Sequence, residues 1–474
     1  MKTQRFPFAL SYWSGDRAEV RQHRPGEHFR FDLDALNNFC LGDLPRHLVD
    51  LMRIASAVYV VDRFVKRRPK DGPKPPSRTI GLKVGVLDDS LWNRQDVRDC
   101  LHDALEFVTG DFWEVEFEPD SQEYKWPTSF LPFSKTDGSP LICLYSSGLD
   151  SAAGLVARMN ENPGRPVIPV TVWHQPRQRH LVLQQYDFLR GHYRSKGVGA
   201  QIDPLIVKVA MMWKSAAEEK NQETSQRSRS FLFAALGAIT AIINGQRTIE
   251  MFESGVGAIN LPLMAGMVGS KATRSSHPEF LRLMSKLASL VADDEVNFTL
   301  PFADKTKGEV VKTLATDGLC AFAAMTASCI HYPIRHKKYK QCGLCPACIF
   351  RRAALQAAGI EEPVNAYKYD FLGPAELINQ PPEKRLAYLK AFLLQIAHLR
   401  DIVNDDRLPP AFERHVVPHI VPKGQSQKGV IQLLARYRDE WTEIASAARE
   451  RGHAWAKLLA PKRPATQGVN HASA

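Results

Sequence analysis

Three thiols stand at two-residue spacing in Cys342-Gly343-Leu344-Cys345-Pro346-Ala347-Cys348, and Cys329 precedes them by 12 intervening residues. Four thiolates complete a closed tetrahedral site, an arrangement that zinc favours, and a site with no open position is structural rather than catalytic. Lys337, Lys338, Lys340, Arg351 and Arg352 flank the thiols and are expected to offset the cluster's two extra negative charges. The remaining cysteines, Cys40, Cys100, Cys143 and Cys320, sit among apolar neighbours and are expected to pack in the core.

The second chemical feature is a loop. Leu141-Ile142-Cys143-Leu144-Tyr145 reads as a buried strand, and Ser146-Ser147-Gly148-Leu149-Asp150-Ser151 follows it and opens into a helix. Such a turn presents consecutive backbone N–H groups and serine hydroxyls at the positive end of a helix dipole, which makes it a site for phosphates. Gly148 lets a phosphate approach the backbone closely. The plain alternative is a strand-to-helix turn in which Asp150 or Ser151 serves as an ordinary helix cap. No Gly-Lys-Ser/Thr follows, so this is not a Walker A loop.

Both features need a scaffold. From Leu141 onward short apolar runs alternate with helical segments, the signature of a doubly wound parallel sheet covered by helices. The expected strands are 141–145, 167–173, 205–209, 248–252 and 297–300, with helices near 151–159, 181–193, 228–244, 278–292 and 307–316. A ligand of such a domain binds at the carboxyl ends of the strands. The pattern divides the chain into an N-terminal α+β domain (1–135), a nucleotide-binding α/β domain (141–328), a four-cysteine segment (329–363), a helical extension (364–460) and a disordered tail (461–474). Within the first of these, helices are expected at 44–65 and 97–108 and strands at 79–87 and 112–118.

At 474 residues, 44% of them hydrophobic, the chain can bury a sizeable core. The most apolar stretch, Phe231 to Ile243, falls short of the roughly 18 to 20 residues of a membrane span and is interrupted by Gly237 and Thr240, so it reads as a buried helix. The first 16 residues contain no apolar run suited to a signal peptide, which makes the cytoplasm the expected location. A formal net charge of +11 favours anionic partners. The run from Lys66 to Arg78 is expected as an exposed loop able to touch phosphates.

Ser146 to Ser151 resembles the Ser-Gly-Gly-x-Asp-Ser loop of PP-loop ATP pyrophosphatases, with Ser147 in place of the first glycine. Ser328-Cys329, Cys342-Gly343-x-Cys345-x-x-Cys348-x-x-Arg351 and Ala357-Ala358-Gly359-Ile360 are similar to the zinc-binding end of 7-cyano-7-deazaguanine synthases, the QueC family. Gln178-Arg179-His180, Arg227-Ser228-x-x-Phe231-Leu232, Pro278-Glu279-Phe280 and Lys305-Thr306-Lys307-Gly308-Glu309 follow the same order. The resemblance spans about residues 141–363, and the long ends resemble QueC-like proteins of antiphage systems such as Qat and CBASS. It implies ATP, Mg2+ and Zn2+ as cofactors. Ser146, Ser147, Gly148, Leu149, Asp150, Ser151, Arg179, His180 and Arg227 would bind the nucleotide, Asp150 and Lys307 would be catalytic, and Cys329, Cys342, Cys345 and Cys348 would hold zinc.

The implied activity is an ATP-dependent carbon–nitrogen ligase, forming AMP and pyrophosphate, that acts on 7-carboxy-7-deazaguanine or a similar deazapurine. The product would be an amide or nitrile, made with ammonia or with an amine of a partner protein in antiviral defence. Because some tRNA-thiolating PP-loop enzymes carry an iron–sulfur cluster, that cluster is the rival occupant of the four thiols. A tRNA-modifying PP-loop enzyme and a catalytically inactive nucleotide-sensing scaffold are the alternative readings. The sequence leaves nucleic acid and a second copy of the chain open as partners.

Overall fold

The computed structural model describes residues 10–14, 21–23, 29–31, 44–67, 77–120, 139–211, 215, 219–220, 222–225, 227–259, 274–332, 339–373, 383–404, 427–453 and 455–456. Its strands in chain order are β1 (Leu10–Ser14), β2 (Arg21–His23), β3 (Phe29–Phe31), β4 (Thr79–Val86), β5 (Phe112–Pro119), β6 (Leu141–Leu144), β7 (Val167–Trp173), β8 (Leu205–Met211), β9 (Thr248–Met251) and β10 (Asn297–Thr299). They form a six-stranded sheet of order β10-β9-β6-β7-β8-β3 and a four-stranded sheet of order β2-β1-β4-β5. In the larger sheet the five strands β6 to β10 run parallel, and β3 closes one edge antiparallel to β8.

Helices cover both faces of the five parallel strands. Strand β6 shows how: Ile142 and Leu144 point into one core and Leu141, Cys143 and Tyr145 into the other, the two-residue alternation that a pleated strand imposes. One face carries α1 (Arg46–Phe64), α3 (Gln95–Thr109), α6 (Arg229–Ile243) and α8 (Pro278–Ala292). The opposite face carries α4 (Leu149–Glu161), α5 (Pro176–Ser195), α9 (Lys307–Thr316), α10 (Cys320–Met325) and α11 (Pro346–Ala357). Two shorter helices are α2 (Asp89–Trp92) and α7 (Gly255–Ile259), and α12 (Glu383–Asn404) and α13 (Gln427–Glu450) build a third core with α11.

Helix α6 is the buried helix expected at 228–244. It is apolar on every side because it lies between the sheet and α1, and its one interior hydroxyl, Thr240, donates to Leu236 O at 2.7 Å. No helix among the described residues is long and apolar enough to cross a membrane. The strand order reverses between β6 and β9, since the chain runs from β6 outward to β8 and then returns to the other side of β6. In open parallel sheets that reversal opens a crevice at the carboxyl ends of the strands.

The N-terminal residues are continuous with this fold. Strand β3 joins the larger sheet, and α1 and α3 share one core with α6, α8 and the sheet. Asp62 of α1 reaches the start of α6, accepting from Ser228 N (3.2 Å) and Ser228 Oγ (2.6 Å).

Several expectations are corrected. The basic run is not free at its ends: Arg67 pairs with Asp111 and Glu223, and Arg78 with Asp62 and Asp111, because buried carboxylates on neighbouring elements claim them. Residues 68–76, between those ends, lie outside the described residues. Cys320 is exposed, since it opens the short helix α10 while Leu319 takes the inward position. Cys100 and Cys143 are buried as expected, and Cys40 lies outside the described residues. Helix α5 begins five residues earlier than expected, at Pro176, whose fixed φ suits the first helical position. Within the expected helical extension, helix α13 runs from Gln427 and ends near Gly452 (φ +79°). Residues 121–138, around the expected boundary near 135, the segment 260–273 and the tail 461–474 lie outside the described residues.

Candidate functional site

The serine loop leaves β6 at the switch point. Tyr145 N–H donates to Val170 O at 2.8 Å, Ser147 carries a left-handed φ of +63°, and Gly148 caps α4. The Ser147 carbonyl fixes the turn by accepting from Ala327 N (3.1 Å) and Gln185 Nε2 (3.2 Å). Ser151 Oγ donates to Gly148 O at 3.0 Å.

Three amides of the loop are bonded only to hydroxyls, and at long range. Ser146 N–H points to Ser151 Oγ (3.3 Å), Gly148 N–H to Ser146 Oγ (3.4 Å) and Leu149 N–H to Ser328 Oγ (3.3 Å). Well-formed N–H···O bonds cluster near 2.9 to 3.0 Å, so an anion's oxygens would replace these contacts at little cost. With the dipole of α4 behind them, the amides and hydroxyls suit a phosphate or pyrophosphate group.

Asp150, in the first turn of α4, meets Lys307, in the first turn of α9, with Nζ 2.5 Å from Oδ2. The other carboxylate oxygen, Asp150 Oδ1, is buried and has no hydrogen-bond partner among the described residues. A cation such as Mg2+ is a fitting partner for that lone pair. Burial alone would lower the pKa of Lys307, but Asp150, by its charge and its hydrogen bond, leads the causes that raise it instead. Its Nζ also lies 5.2 Å from the Phe350 ring centroid.

Glu253 follows β9, the neighbour of β6 across the switch point. Burial and the nearby Asp150 charge push its carboxyl up to about 8, against the pull of Lys307. The switch point therefore sets the Asp150–Lys307 pair beside a carboxyl, Glu253, that keeps its proton near neutrality. Environments that drive the pKa values of neighbouring groups apart are typical of acid–base sites.

Helix α9 starts where it does because Thr306 caps it in a reciprocal capping box with Glu309. From the far side, Glu440 of α13 accepts from Thr306 Oγ1, and Arg436 pairs with Glu309 at 2.7 Å. The helical extension thus braces the turn that carries Lys307.

The four thiols converge. The Sγ atoms of Cys329, Cys342, Cys345 and Cys348 all lie within 4.8 Å of one another and all four residues are buried, with Cys342 and Cys348 Sγ at 3.8 Å. Tetrahedral metal–sulfur bonds of about 2.3 Å separate sulfurs by about 3.8 Å, so the donor set fits one zinc ion. Gln341 braces the cluster by accepting from Cys329 N (3.0 Å) and donating to Thr326 O (3.2 Å). Gly343 has φ +87°, and a Cβ there would sit 1.6 Å from Tyr369 O, so no side chain fits. The metal segment and the loop are tied together, because Ala327 and Ser328, just before Cys329, hold Ser147 O and Leu149 N–H.

The expected counter-charges act elsewhere. Arg351 pairs with Glu362 at 2.7 Å and Arg352 with Asp370 at 3.1 Å, while Lys340 Nζ donates to Ala324 O. Lys337 and Lys338 lie outside the described residues.

The structure brings Ser146, Ser147, Gly148, Leu149, Asp150, Ser151 and Lys307 to one place. Arg179 ends the first turn of α5 and His180 begins the second, both exposed, on the same carboxyl edge of the sheet but after β7. Arg227 turns away toward α3, where Nη1 donates to Thr109 O at 2.7 Å and burial, then Arg67, lowers its pKa to about 10. Glu253, Ser328, Gln185 and Phe350 were not singled out as site residues from sequence. The available signal for Glu253 was its place just past a strand end, which has meaning only once β9 is known to neighbour β6.

Fold and site together define a parallel-sheet α/β protein with a buried four-cysteine cluster able to hold a metal ion. Residues 272–359 match the family model described as Queuosine biosynthesis protein QueC, a segment that contains Lys307 and all four cysteines but not the serine loop. The 7-cyano-7-deazaguanine synthases of Cupriavidus taiwanensis and Cupriavidus necator are each 30% identical to this chain over 113 residues, which is 23% of this chain and 48% of theirs. The chain spans about half the length of the curated relatives it matches.

Proposed function

We propose that the chain is an ATP-dependent carbon–nitrogen ligase that adenylates the carboxylate of 7-carboxy-7-deazaguanine or a similar deazapurine. The observation that carries this reading is the Asp150–Lys307 pair beneath a loop of loosely bonded amides at the sheet's switch point. A carboxylate resists amines near neutral pH because its leaving group would be oxide. Attack of its oxygen on the α-phosphate of ATP breaks the bond to the β-phosphate, releases pyrophosphate and turns the leaving group into AMP. An amine then displaces AMP to form an amide.

In this reading the Ser146 to Ser151 amides and hydroxyls receive the departing pyrophosphate, and Lys307 neutralises its growing charge. Mg2+, held at Asp150, would supply further charge neutralisation. Glu253, protonated near neutrality, donates a hydrogen bond to an anionic neighbour without adding negative charge. Arg179 and His180 lie where a ligand leaving the crevice would pass over α5. Cys329, Cys342, Cys345 and Cys348 would hold zinc, which would steady the segment that sets Ala327 and Ser328 against the loop.

The divisions at about 135, 328 and 363 stand in the same reading as functional units. An N-terminal region and a helical extension outside the QueC-matched segment support a place in a defence system, with an amine of a partner protein as acceptor. Pyrophosphate release measured with ATP, Mg2+, ammonia and 7-carboxy-7-deazaguanine tests the core of the proposal. Base-dependent release is expected from the wild type, and a loss of about 100-fold or more from Asp150→Ala or Lys307→Met. Equal rates in wild type and both variants would remove the loop from the reaction, and no release with the base would overturn the substrate.

A further inference from the structure

A second group of polar side chains lies at the carboxyl edge, on the face of the sheet opposite α4. His174 follows β7 directly and stacks on Tyr59 of α1, with ring centroids 6.0 Å apart and planes 9° from parallel. Its Nδ1 donates to Val209 O of β8 at 2.7 Å, which leaves Nε2 as the bare acceptor nitrogen, buried and without a partner among the described residues. Arg63, one helical turn beyond Tyr59, is only 8% exposed, yet Nε and Nη1 have no hydrogen-bond partner among the described residues. Its Nη2 reaches a neutral acceptor, Gln222 Oε1. Arg229, the first residue of α6, makes no ion pair or side-chain hydrogen bond among the described residues.

A guanidinium more than nine-tenths buried without a carboxylate is unusual, because desolvating a charge is costly unless something pairs with it. Here a second guanidinium, the exposed one of Arg229, stands near enough to Arg63 for the two like charges to oppose each other. The nearby acid, Asp62, is already used by Arg78 and by Ser228 at the head of α6. The deficit sits at the N-terminus of a 15-residue helix, whose dipole adds to the positive potential.

We infer that Arg63, Arg229 and His174 form a binding site for a phosphate-type oxyanion, separate from the serine loop. The two guanidiniums supply the donors that match such a group. His174 Nε2 sets the finer choice, since a lone pair there accepts from a P–OH and repels an anion with no proton to give. Burial and both arginines lower the His174 pKa to about 4, so the free site presents the neutral ring at physiological pH. Hydrogen phosphate, or the phosphate of a monoester, carries both the charge and the donor. Sulfate carries only the charge, and acetate lacks the tetrahedral shape. Arg63 comes from the N-terminal region, so the site exists only where that region covers the sheet.

Calorimetric titration of the full chain with inorganic phosphate, sulfate and acetate at pH 6.5 and fixed ionic strength tests the assignment. Ser151→Ala serves as the background, to weaken phosphate binding at the loop. Phosphate is expected to bind more tightly than sulfate or acetate, and Arg229→Gln or Arg63→Gln is expected to weaken it about tenfold or more. Because Arg63→Gln perturbs a buried position, Arg229→Gln and His174→Phe, both checked by circular dichroism, keep the test decisive. His174→Phe should abolish the preference for phosphate over sulfate. Unchanged phosphate affinity in Arg229→Gln, or equal affinity for phosphate and sulfate in the wild type, would overturn the site. These titrations do not depend on catalysis, so their failure is distinct from failure of the proposed ligase activity.

Discussion

Ser147 holds a left-handed backbone (φ +63°) at 2% exposure, in a loop where the resembling family carries glycine. An L-residue in that conformation costs about 1 to 2 kcal/mol, and only glycine escapes the penalty. Two hydrogen bonds to the Ser147 carbonyl, from Ala327 and Gln185, keep the turn in place despite the strain. Ser147→Gly should therefore be more stable than Ser147→Ala by about 1 kcal/mol, a difference readable from urea denaturation midpoints with unchanged slopes. An alanine variant as stable as the glycine variant would mean that the turn relaxes when the hydroxyl is removed. Residues contiguous in sequence were legible in this way, as were the thiols, because the chemistry of a loop or a two-residue spacing is local. Glu253 and Ser328 were not, because their meaning comes from partners more than 100 positions away: the charge of Asp150 raises one carboxyl, and Leu149 donates to the other side chain.

At the scale of elements, the turn carrying Lys307 is held by a helix from the far end of the chain. Gly308 accommodates that helix: a Cβ there would lie 2.4 Å from Glu440 Oε1. Burial pushes the Glu440 carboxyl up to about 7, with Glu309 and Glu443 adding repulsion against the help of Thr306 and Arg436. A carboxyl whose folded pKa exceeds its unfolded value of roughly 4.3 binds a proton more tightly in the native state. Stability is therefore lost as pH rises from about 4 through 7, and the full cost, of order 3 kcal/mol, remains above that window. Glu440→Gln keeps an acceptor for Thr306 Oγ1 and removes the charge. It should stabilise the protein at pH 8 and leave it nearly unchanged at pH 4.5, as measured by denaturant unfolding at the two pH values. Equal effects at both would show that Glu440 is not the titrating group. Both α8 and α9 were legible to the residue because their ends carry proline or capping signals. The three-residue strands β2 and β3 were missed because so short a run has no period to detect.

At the scale of the molecule, the division expected near residue 135 meets a core that does not stop at it. Phe231, Leu232, Ala235, Ile239 and Phe280 are all buried, in the same cluster as Leu48, Met52, Val58, Leu101 and Leu105 from the N-terminal helices. The alternation of strands and helices announced the sheet, but a helix apolar on all sides announces only that something covers it. What covers α6 is α1, and no local pattern names that partner. Polar contacts seal the same boundary, since Asp62 bonds Ser228, Arg227 donates to Thr109 O, and Arg274 donates to Phe107 O at 3.0 Å. Exposing a contiguous apolar face of this kind favours association, and each large side chain brought to solvent loses about 1.5 to 3 kcal/mol. A fragment beginning at Ser139 would bare α6 and α8 while keeping the loop, the Asp150–Lys307 pair and the four thiols. It is expected to aggregate or to bind a hydrophobic dye strongly, whereas co-expression with a separate fragment covering residues 1–138 should restore a soluble complex. A fragment from 139 that is monomeric, binds no dye and unfolds cooperatively would show that the two regions fold independently. The shared core would then be an interface between finished domains rather than part of one fold.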